Sequence, residues 1–406
     1  MNEAKAILKE YGQEQLLRFY DELNDTEKKE LLDQIKSTDF SVIEKSIKAM
    51  AEAKRGEVSP IPAMTIEDIK AHEDEYRQAG LEEIKAGKVG AILLAGGMGT
   101  RLGSDDPKGM YNVGLTRDLF IFECLVNNLM DVVREADAYI HLFVMTSDKN
   151  DEKTRNFFEE KNYFGYKKEY VHFFKQEMAA ATDYNGKAYL ETKSRIATSP
   201  NGNGGWYISM KRSGLADFAE EQGVKWLNIF AVDNVLQRIC DPVFVGAMVK
   251  QDMVCGAKVI RKVSRDEKVG VMCNEDGRPS IIEYYEMTDD MLDLKDEAGN
   301  PVYNFGVILN YIFEKKQLDD ILSKNLPLHM VEKKIPYVDE AGNLISPDAP
   351  NGHKYETLVL DMIKLMDNCL VYEVEREREF APIKNKTGVD SVESARELLK
   401  KNGVTL

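Results

Sequence analysis

The sequence predicts an α/β fold, a mixed and mostly parallel sheet with helices on both faces, preceded by a helical extension. Three observations carry this. From Gly90 onward, short apolar runs alternate with helix-period segments, the pattern of strands covered on both faces. The first run, Val89 to Leu94, passes directly into a glycine-rich loop. Before it, Ile7, Leu8, Tyr11, Leu16, Phe19, Tyr20 and Leu23 recur at mixed three- and four-residue spacing, the period of amphipathic helices.

In chain order, Ser41 with Glu44 fits a capping box that opens another helix, and Ser59-Pro60-Ile61-Pro62 breaks the pattern as a linker. The charged stretch Ile66 to Ala86 reads as a helix leading into the first strand. Further strands are expected at Tyr139 to Met145, Tyr170 to Phe174, Trp226 to Val232, Val254 to Ile260 and Ser280 to Tyr284. Helices are expected at Leu119 to Glu135, Glu152 to Lys161 and Tyr207 to Gln222. Asp289 to Pro301 and Asp339 to Gly352 are turn-rich surface excursions. There is no internal repeat.

Composition narrows the function. The 406 residues include 54 Lys and Arg against 70 Asp and Glu, a net charge of −16, which argues against broad nucleic-acid or anionic-membrane binding because both need a basic face. No apolar run approaches the roughly 20 residues of a membrane span, and the N-terminus lacks the apolar core of a secretory signal. Cys124, Cys240, Cys255, Cys273 and Cys369 are scattered singly, so neither a zinc site nor a disulfide framework is indicated. The cytoplasm is the expected compartment. Nothing in the pattern specifies an assembly.

The loop after Leu94 reads AGGMGTRLGSDDPKGMYNVG. Gly96, Gly97, Gly99 and Gly103 allow sharp turns and close approach, with N–H groups available to an anion, and Arg101 and Lys108 supply full positive charge. Together they indicate nucleotide phosphate. The spacing is not that of a P-loop, because neither Gly99 nor Gly103 is followed by Lys-Ser or Lys-Thr. It also misses the dinucleotide fingerprint, whose third glycine falls one place late at Gly103, which leaves a nicotinamide-dependent oxidoreductase a weak alternative. Asp233 ends an apolar strand, where a carboxylate suits either a divalent cation or an Asx turn or helix N-cap before Pro242.

These residues carry a family resemblance. LAGGMGTRLG followed by PKGMYNVGL resembles the nucleotide-binding loop of the UDP-N-acetylhexosamine pyrophosphorylases, in the eukaryotic-type UDP-sugar pyrophosphorylase group. SPNGNGGWY, AVDNVL, KVGVMC, IIEYYE, NFGVILNYIF and REFAPIKN follow in the family's order, from about Ala91 to Asn385. The resemblance implies a nucleotide-diphospho-sugar transferase fold (GT-A/Rossmann-like) in which a sugar 1-phosphate attacks the α-phosphorus of UTP, releasing pyrophosphate and a UDP-sugar, with Mg²⁺ or Mn²⁺ as cofactor. It divides the chain into a helical region and linker over 1–86, a nucleotidyltransferase domain over 87–385 and a short helical tail over 386–406. The family's further C-terminal β domain is not expected here.

Residue by residue, the resemblance places Arg101, Lys108 and Lys384 on the phosphates and Asp233 on the metal. Leu94, Ala95, Gly96, Gly97, Gln176 and Gly202 fall at the nucleotide, with Gln176 reading the uracil edge. Asn203, Gly270, Glu283, Tyr284 and Asn304 fall at the sugar. One departure bears on specificity: Phe305 follows Asn304 where small residues are common, so a ring turned into the sugar pocket would crowd an N-acetyl group and one turned to the core would not. The resemblance implies N-acetylglucosamine as the sugar, Phe305 leaves glucose or galactose open as alternatives, and a non-catalytic UDP-sugar-binding regulator is the reading from another class.

Overall fold

All six residues of Val89–Leu94 are buried because helices cover the sheet on both sides, which removes the alternation of a half-exposed strand. The computed structural model describes residues 1–52, 55–322, 326 and 328–406. The chain forms two units, each assembled from separated segments. One contains Arg55–Lys175, Trp206–Asn325 and Met362–Leu406; the other contains Met1–Lys54, Gln176–Gly205 and Leu326–Asp361.

The first unit is built on a ten-stranded sheet. Its strands are β1 (Val58–Ser59), β2 (Val89–Leu94), β3 (His141–Thr146), β4 (Val171–Lys175), β5 (Trp226–Ala231), β6 (Cys255–Arg261), β7 (Val271–Glu275), β8 (Arg278–Ile282), β9 (Phe305–Glu314) and β10 (Leu370–Glu373). Their order is β1-β7-β9-β5-β2-β3-β4, with β8 paired to β7 and β6 paired to β9 and β10. Strands β2 to β5 are parallel, whereas β9 runs antiparallel to β5, β6 and β7. The sheet is thus mixed, as the fold class requires. On one face lies the helix Ile121–Ala136, which buries Phe122, Leu125, Leu129 and Val132 in the core with Ala91 and Leu93 of β2. On the other, Phe218 sets its ring edge-on to Phe143 of β3.

Four local expectations change. Ser59 belongs to the edge strand β1, paired with β7, so the Ser-Pro-Ile-Pro segment begins inside the sheet. The stretch Ile66 to Ala86 is two helices, Ile66–Ala71 and Glu73–Lys85; the second starts on Glu73, Asp74 and Glu75, acids that favour a helix N-terminus. Tyr207 to Gln222 is likewise two helices, divided at Gly214 with φ 80°. Finally, the helix Ser41–Glu52 includes Ser41 itself, whose N–H and hydroxyl both donate to Asp39 Oδ1 (3.0 and 2.6 Å). Ser41 is therefore the first helical residue and not the N-cap that a box with Glu44 requires, and its hydroxyl donates outside the helix.

In the second unit, Leu8, Leu16, Phe19, Ile35 and Phe40 of the N-terminal helices share a core with Ile196 and Tyr355. Two glutamines fasten the N-terminal segment to residues 186–196 by using their amides as backbone mimics. Gln34 donates to Ile196 C=O (3.2 Å) and accepts from Ile196 N–H (2.8 Å). Buried Gln13 donates to Gly186 C=O (2.9 Å) and accepts from Ala188 N–H (2.8 Å).

His141 and His172 share a 3.0 Å contact between ring nitrogens on adjacent strands of the first unit. Burial, then the neighbouring His141, takes the His172 imidazole down to about 4. An unfolded histidine titrates near 6.5, so between these values the unfolded chain binds the extra proton and the fold loses stability as pH falls. We expect a melting temperature that falls from about pH 6.5 towards about pH 4, with a shallower fall in His172→Phe; equal slopes would reject this assignment.

Candidate active site

The parallel pairing of β2 and β5 makes both strands end at the same edge of the sheet, so the glycine loop and the Asp233 segment emerge side by side. Val232 N–H still donates to Leu94 C=O (3.2 Å) at this edge. Beyond Leu94 and Ala95, both buried, the loop folds back on itself: Gly99 N–H donates to Asp106 C=O (2.8 Å) and Lys108 N–H to Gly97 C=O (3.1 Å). Asn150, wholly buried, pins it from below. Its Nδ2 donates to Ala95 C=O (2.8 Å) and Gly97 C=O (3.4 Å), while its Oδ1 accepts from Ser147 N–H (2.8 Å). The N–H groups of Gly96 and Gly97 have no partner among the described residues, the condition an anion-binding turn requires. Gly109 is needed for a steric reason, since a Cβ there would stand 2.2 Å from the Phe122 ring.

Two cations of this loop are uncommitted. Arg101 is exposed and Lys108 half-buried, and neither side chain has a hydrogen bond or ion pair among the described residues. Burial pushes the Lys108 ammonium below the usual lysine range; Asp233 opposes this, and the like charges of Arg101 and Lys384 add to it. Arg101, Asp233 and Lys384, from three distant segments, therefore lie within electrostatic reach of Lys108. Asp233 is half-buried, with no carboxylate partner among the described residues, and the N-cap before Pro242 is supplied by Asp241, which accepts from Val243 N–H (3.1 Å). The capping alternative for Asp233 is thereby removed.

Lys384 reaches this place through backbone pairing. Ile383 N–H donates to Asp233 C=O (2.9 Å), and Asn234 pairs antiparallel with Pro382. The Lys384 ammonium makes an ion pair with Asp390 (2.9 Å). Lys386, not singled out from sequence, places its Nζ 3.0 Å from where a Cβ on Gly103 would stand. Its only sequence signal is a second lysine two places after Lys384. Asn150 gives no sequence signal, being a lone amide in a polar turn.

Four of the five residues assigned to the sugar, Gly270, Glu283, Tyr284 and Asn304, flank the neighbouring strands β7, β8 and β9 of the first unit. A Cβ on Gly270 would stand 3.0 Å from Ile281 Cγ2 and 3.4 and 3.5 Å from the two Glu283 carboxylate oxygens, so Gly270 lies directly against Glu283. Asn304 is 9% exposed and its Oδ1 accepts from Lys262 N–H (3.1 Å), which orients the NH₂ group as the remaining donor. Tyr284 is exposed, edge-on to Tyr285 at 5.3 Å, and so lies outside the core. Phe305 is half-buried, and its ring packs under the Arg261 guanidinium (5.3 Å). The β7–β9 register puts Phe305 on the sheet face that carries Gly270 and Met272.

The three remaining residues belong to the second unit. Gln176 is 8% exposed, with no hydrogen bond from its carboxamide among the described residues. Gly202 has φ 87° and a Cβ there would stand 2.1 Å from Thr357 C=O, so no other residue fits. Asn203 opens the turn into the helix at Trp206, and its Oδ1 accepts from Val359 N–H (2.9 Å). Ser199 Oγ and Asn201 Oδ1, beside this loop and missed by sequence reasoning, are buried atoms with no hydrogen-bond partner among the described residues.

An α/β sheet with an unpaired glycine turn, two free cations and an uncommitted carboxylate at its strand ends defines a protein that handles nucleotide phosphates. The family profile described as UTP--glucose-1-phosphate uridylyltransferase matches residues 34–405, and the chain belongs to this family. It is 34% identical to a mouse (Mus musculus) UDP-N-acetylhexosamine pyrophosphorylase-like protein 1, over 96% of this chain and 81% of the relative. It is 33% identical to the Saccharomyces cerevisiae UDP-N-acetylglucosamine pyrophosphorylase, over 96% and 87%. Among solved structures, the Trypanosoma brucei uridine diphosphate N-acetylglucosamine pyrophosphorylase in complex with an inhibitor superposes with a TM-score of 0.84 at 25% identity, covering 97% of this chain and 83% of that one.

Removing the Asn150 carboxamide leaves the buried Ala95 C=O without its donor. We expect Asn150→Ala to lower the unfolding free energy by about 1–3 kcal/mol, measured by urea denaturation; a change below about 0.5 kcal/mol would show that the loop holds itself.

Proposed function

We propose that this protein is a uridylyltransferase that forms UDP-N-acetylglucosamine and pyrophosphate from UTP and N-acetylglucosamine 1-phosphate, reversibly. The observation that carries the reading is the gathering of Arg101, Lys384 and the Asp233 carboxylate around Lys108 in a chain of net charge −16. Local positive charge against a global negative one suits a reaction that must hold two polyanions together. The names of the full-length relatives support the N-acetyl sugar over glucose or galactose.

In this reading the Gly96 and Gly97 amides, Arg101 and Lys108 grip the β- and γ-phosphates of UTP and stabilise the departing pyrophosphate, with Leu94 and Ala95 framing the nucleotide. Lys384 exchanges its Asp390 partner for the α-phosphate and sugar phosphate. An oxygen of the sugar phosphate attacks the α-phosphorus as the bond to pyrophosphate breaks, and positioning and charge supply most of the catalysis. Gln176 and Gly202 serve the uracil; Asn203, Gly270, Glu283, Tyr284 and Asn304 serve the sugar. Among the described residues no group of three or more His, Cys, Asp or Glu could by itself hold a metal ion. A single free carboxylate such as Asp233 fits a Mg²⁺ or Mn²⁺ that takes its other ligands from phosphates and water. Bound there, the ion would neutralise phosphate charge. The cytoplasm fits five cysteines that are all free thiols. Among the described residues no helix is long and apolar enough to cross a membrane.

The test is pyrophosphate release with UTP and Mg²⁺, comparing N-acetylglucosamine, N-acetylgalactosamine, glucose and galactose 1-phosphates. N-acetylglucosamine 1-phosphate should give the highest kcat/KM, and Lys108→Ala should lower it at least about a hundredfold with the fold intact. Preference for glucose or galactose would reassign the sugar, and silence with all four would favour a UDP-sugar-binding regulator.

The depressed Lys108 ammonium adds a pH prediction. Bound polyphosphate favours its charged form and raises its proton affinity, so in the alkaline range UTP binding should take up a proton and weaken as pH rises. Calorimetry in two buffers of different ionisation enthalpy should detect this uptake, and Lys108→Met should abolish it. No uptake at any alkaline pH would remove Lys108 from the phosphate site.

A further inference from the structure

Beneath the candidate site the sheet holds a lysine with no solvent exposure. Lys258, in the middle of β6, is 0% exposed, and its Nζ donates to Glu379 Oε2 (2.6 Å), Arg238 C=O (3.1 Å) and Asp241 Oδ2 (3.3 Å). All three ammonium protons are therefore engaged. Two of the acceptors, Arg238 and Asp241, belong to the segment that begins at Asp233. The third, Glu379, opens the segment that leads to Lys384. Glu379 ties the same two segments again: Oε2 accepts from Arg238 N–H (3.2 Å), and its C=O accepts from Asn234 Nδ2 (2.7 Å). Asn234 Oδ1 in turn accepts from Ala381 N–H (2.9 Å).

The contribution of such a pair is better sought in geometry than in stability. A buried lysine is costly to desolvate, and replacing a buried ion pair by apolar groups of similar volume is often neutral or stabilising. Here the ammonium, together with the Arg238 guanidinium 3.3 Å from Asp241, offsets two carboxylates that would otherwise repel each other, and this permits segments about 150 residues apart in the chain to lie in register. A shift of either segment by one peptide would separate Asp233 from Lys384, because Ile383 N–H bonds to the Asp233 carbonyl itself.

We propose that the buried Lys258–Glu379 ion pair is a positioning element for turnover, holding the Asp233 and Lys384 segments in the relative register that uridylyl transfer needs. The proposal rests on the uridylyltransferase reading above. Neither residue is given contact with substrate.

The test uses the full chain carrying Lys258→Met with Glu379→Gln, which removes the link without leaving the Glu379 charge buried and unpaired. Hydrogen exchange should become at least about tenfold faster at amides within 233–241 and 381–384, while β2 and β3 stay protected. Turnover should fall at least about tenfold in kcat, with the KM for UTP within about threefold, because the expected loss is in alignment at the α-phosphate and not in nucleotide affinity. If the double variant does not fold, Glu379→Gln alone, which retains an acceptor at that side chain, carries the same two readouts. Unchanged exchange in both segments, or faster exchange with wild-type kcat, would overturn the proposal. Absence of turnover in the wild-type protein would instead reject the uridylyltransferase reading, and the exchange measurement would still decide whether the pair holds the segments.

Discussion

Like charges held close together and partly out of water are the constraint on which the site depends. Lys108 loses hydration as it is buried, and Arg101 and Lys384 add repulsion, so one carboxylate, Asp233, is the main opposing charge within the cluster. Such a cluster persists only if the backbone around it is held by interactions that do not consume the charges. The scaffold meets this need with amides and backbone pairs: Asn150 under the glycine loop, Asn128 donating to Val235 and Gln237 carbonyls (3.0 and 3.1 Å), and Gln237 donating to those of Ala231 and Asn234 (2.7 and 2.9 Å). Around the loop these neutral groups carry the frame and leave Arg101 and Lys108 unspent among the described residues.

The polar interior of the sheet follows the same logic. Asn228, in central strand β5, donates to Asn310 Oδ1 and to Tyr311 C=O (both 2.8 Å) and accepts from Cys240 N–H (2.7 Å). Cys240 has φ 50°, a backbone conformation that few non-glycine residues adopt and that the surroundings must enforce. A hydrophobic residue at Asn228 would suit the strand equally well, but it would not direct the turn after β5. The acidic excess elsewhere is largely paired or solvated surface, as with Arg265, whose guanidinium meets Asp266, Asp289 and Asp293.

How far the site was legible depended on how local its cause was. The glycine loop was visible because turn residues, cations and a buried strand are contiguous, and their physical reasons act within a few residues. Asp233 was ambiguous because a carboxylate before a helix has two ordinary uses; the answer lay eight residues further on, where Asp241 takes the cap. Phe305 could not be placed from the chain, because its environment is Arg261 on a neighbouring strand. Lys386 and Asn150 were missed because each acts across space on a loop far from it in sequence.

By itself, the sequence determined the α/β class, the parallel strands β2 to β5 and the family, since each rests on patterns or blocks read along the chain. Only the tertiary structure decided that Lys384 lies beside Asp233, that the N-terminal helices share a core with Ile196 and Tyr355, and that a buried lysine underlies the site. The reason is physical. Apolar periodicity encodes which face of an element is buried, whereas the pairing of a cation with a carboxylate about 120 residues away depends on strand order and register, which no local pattern carries.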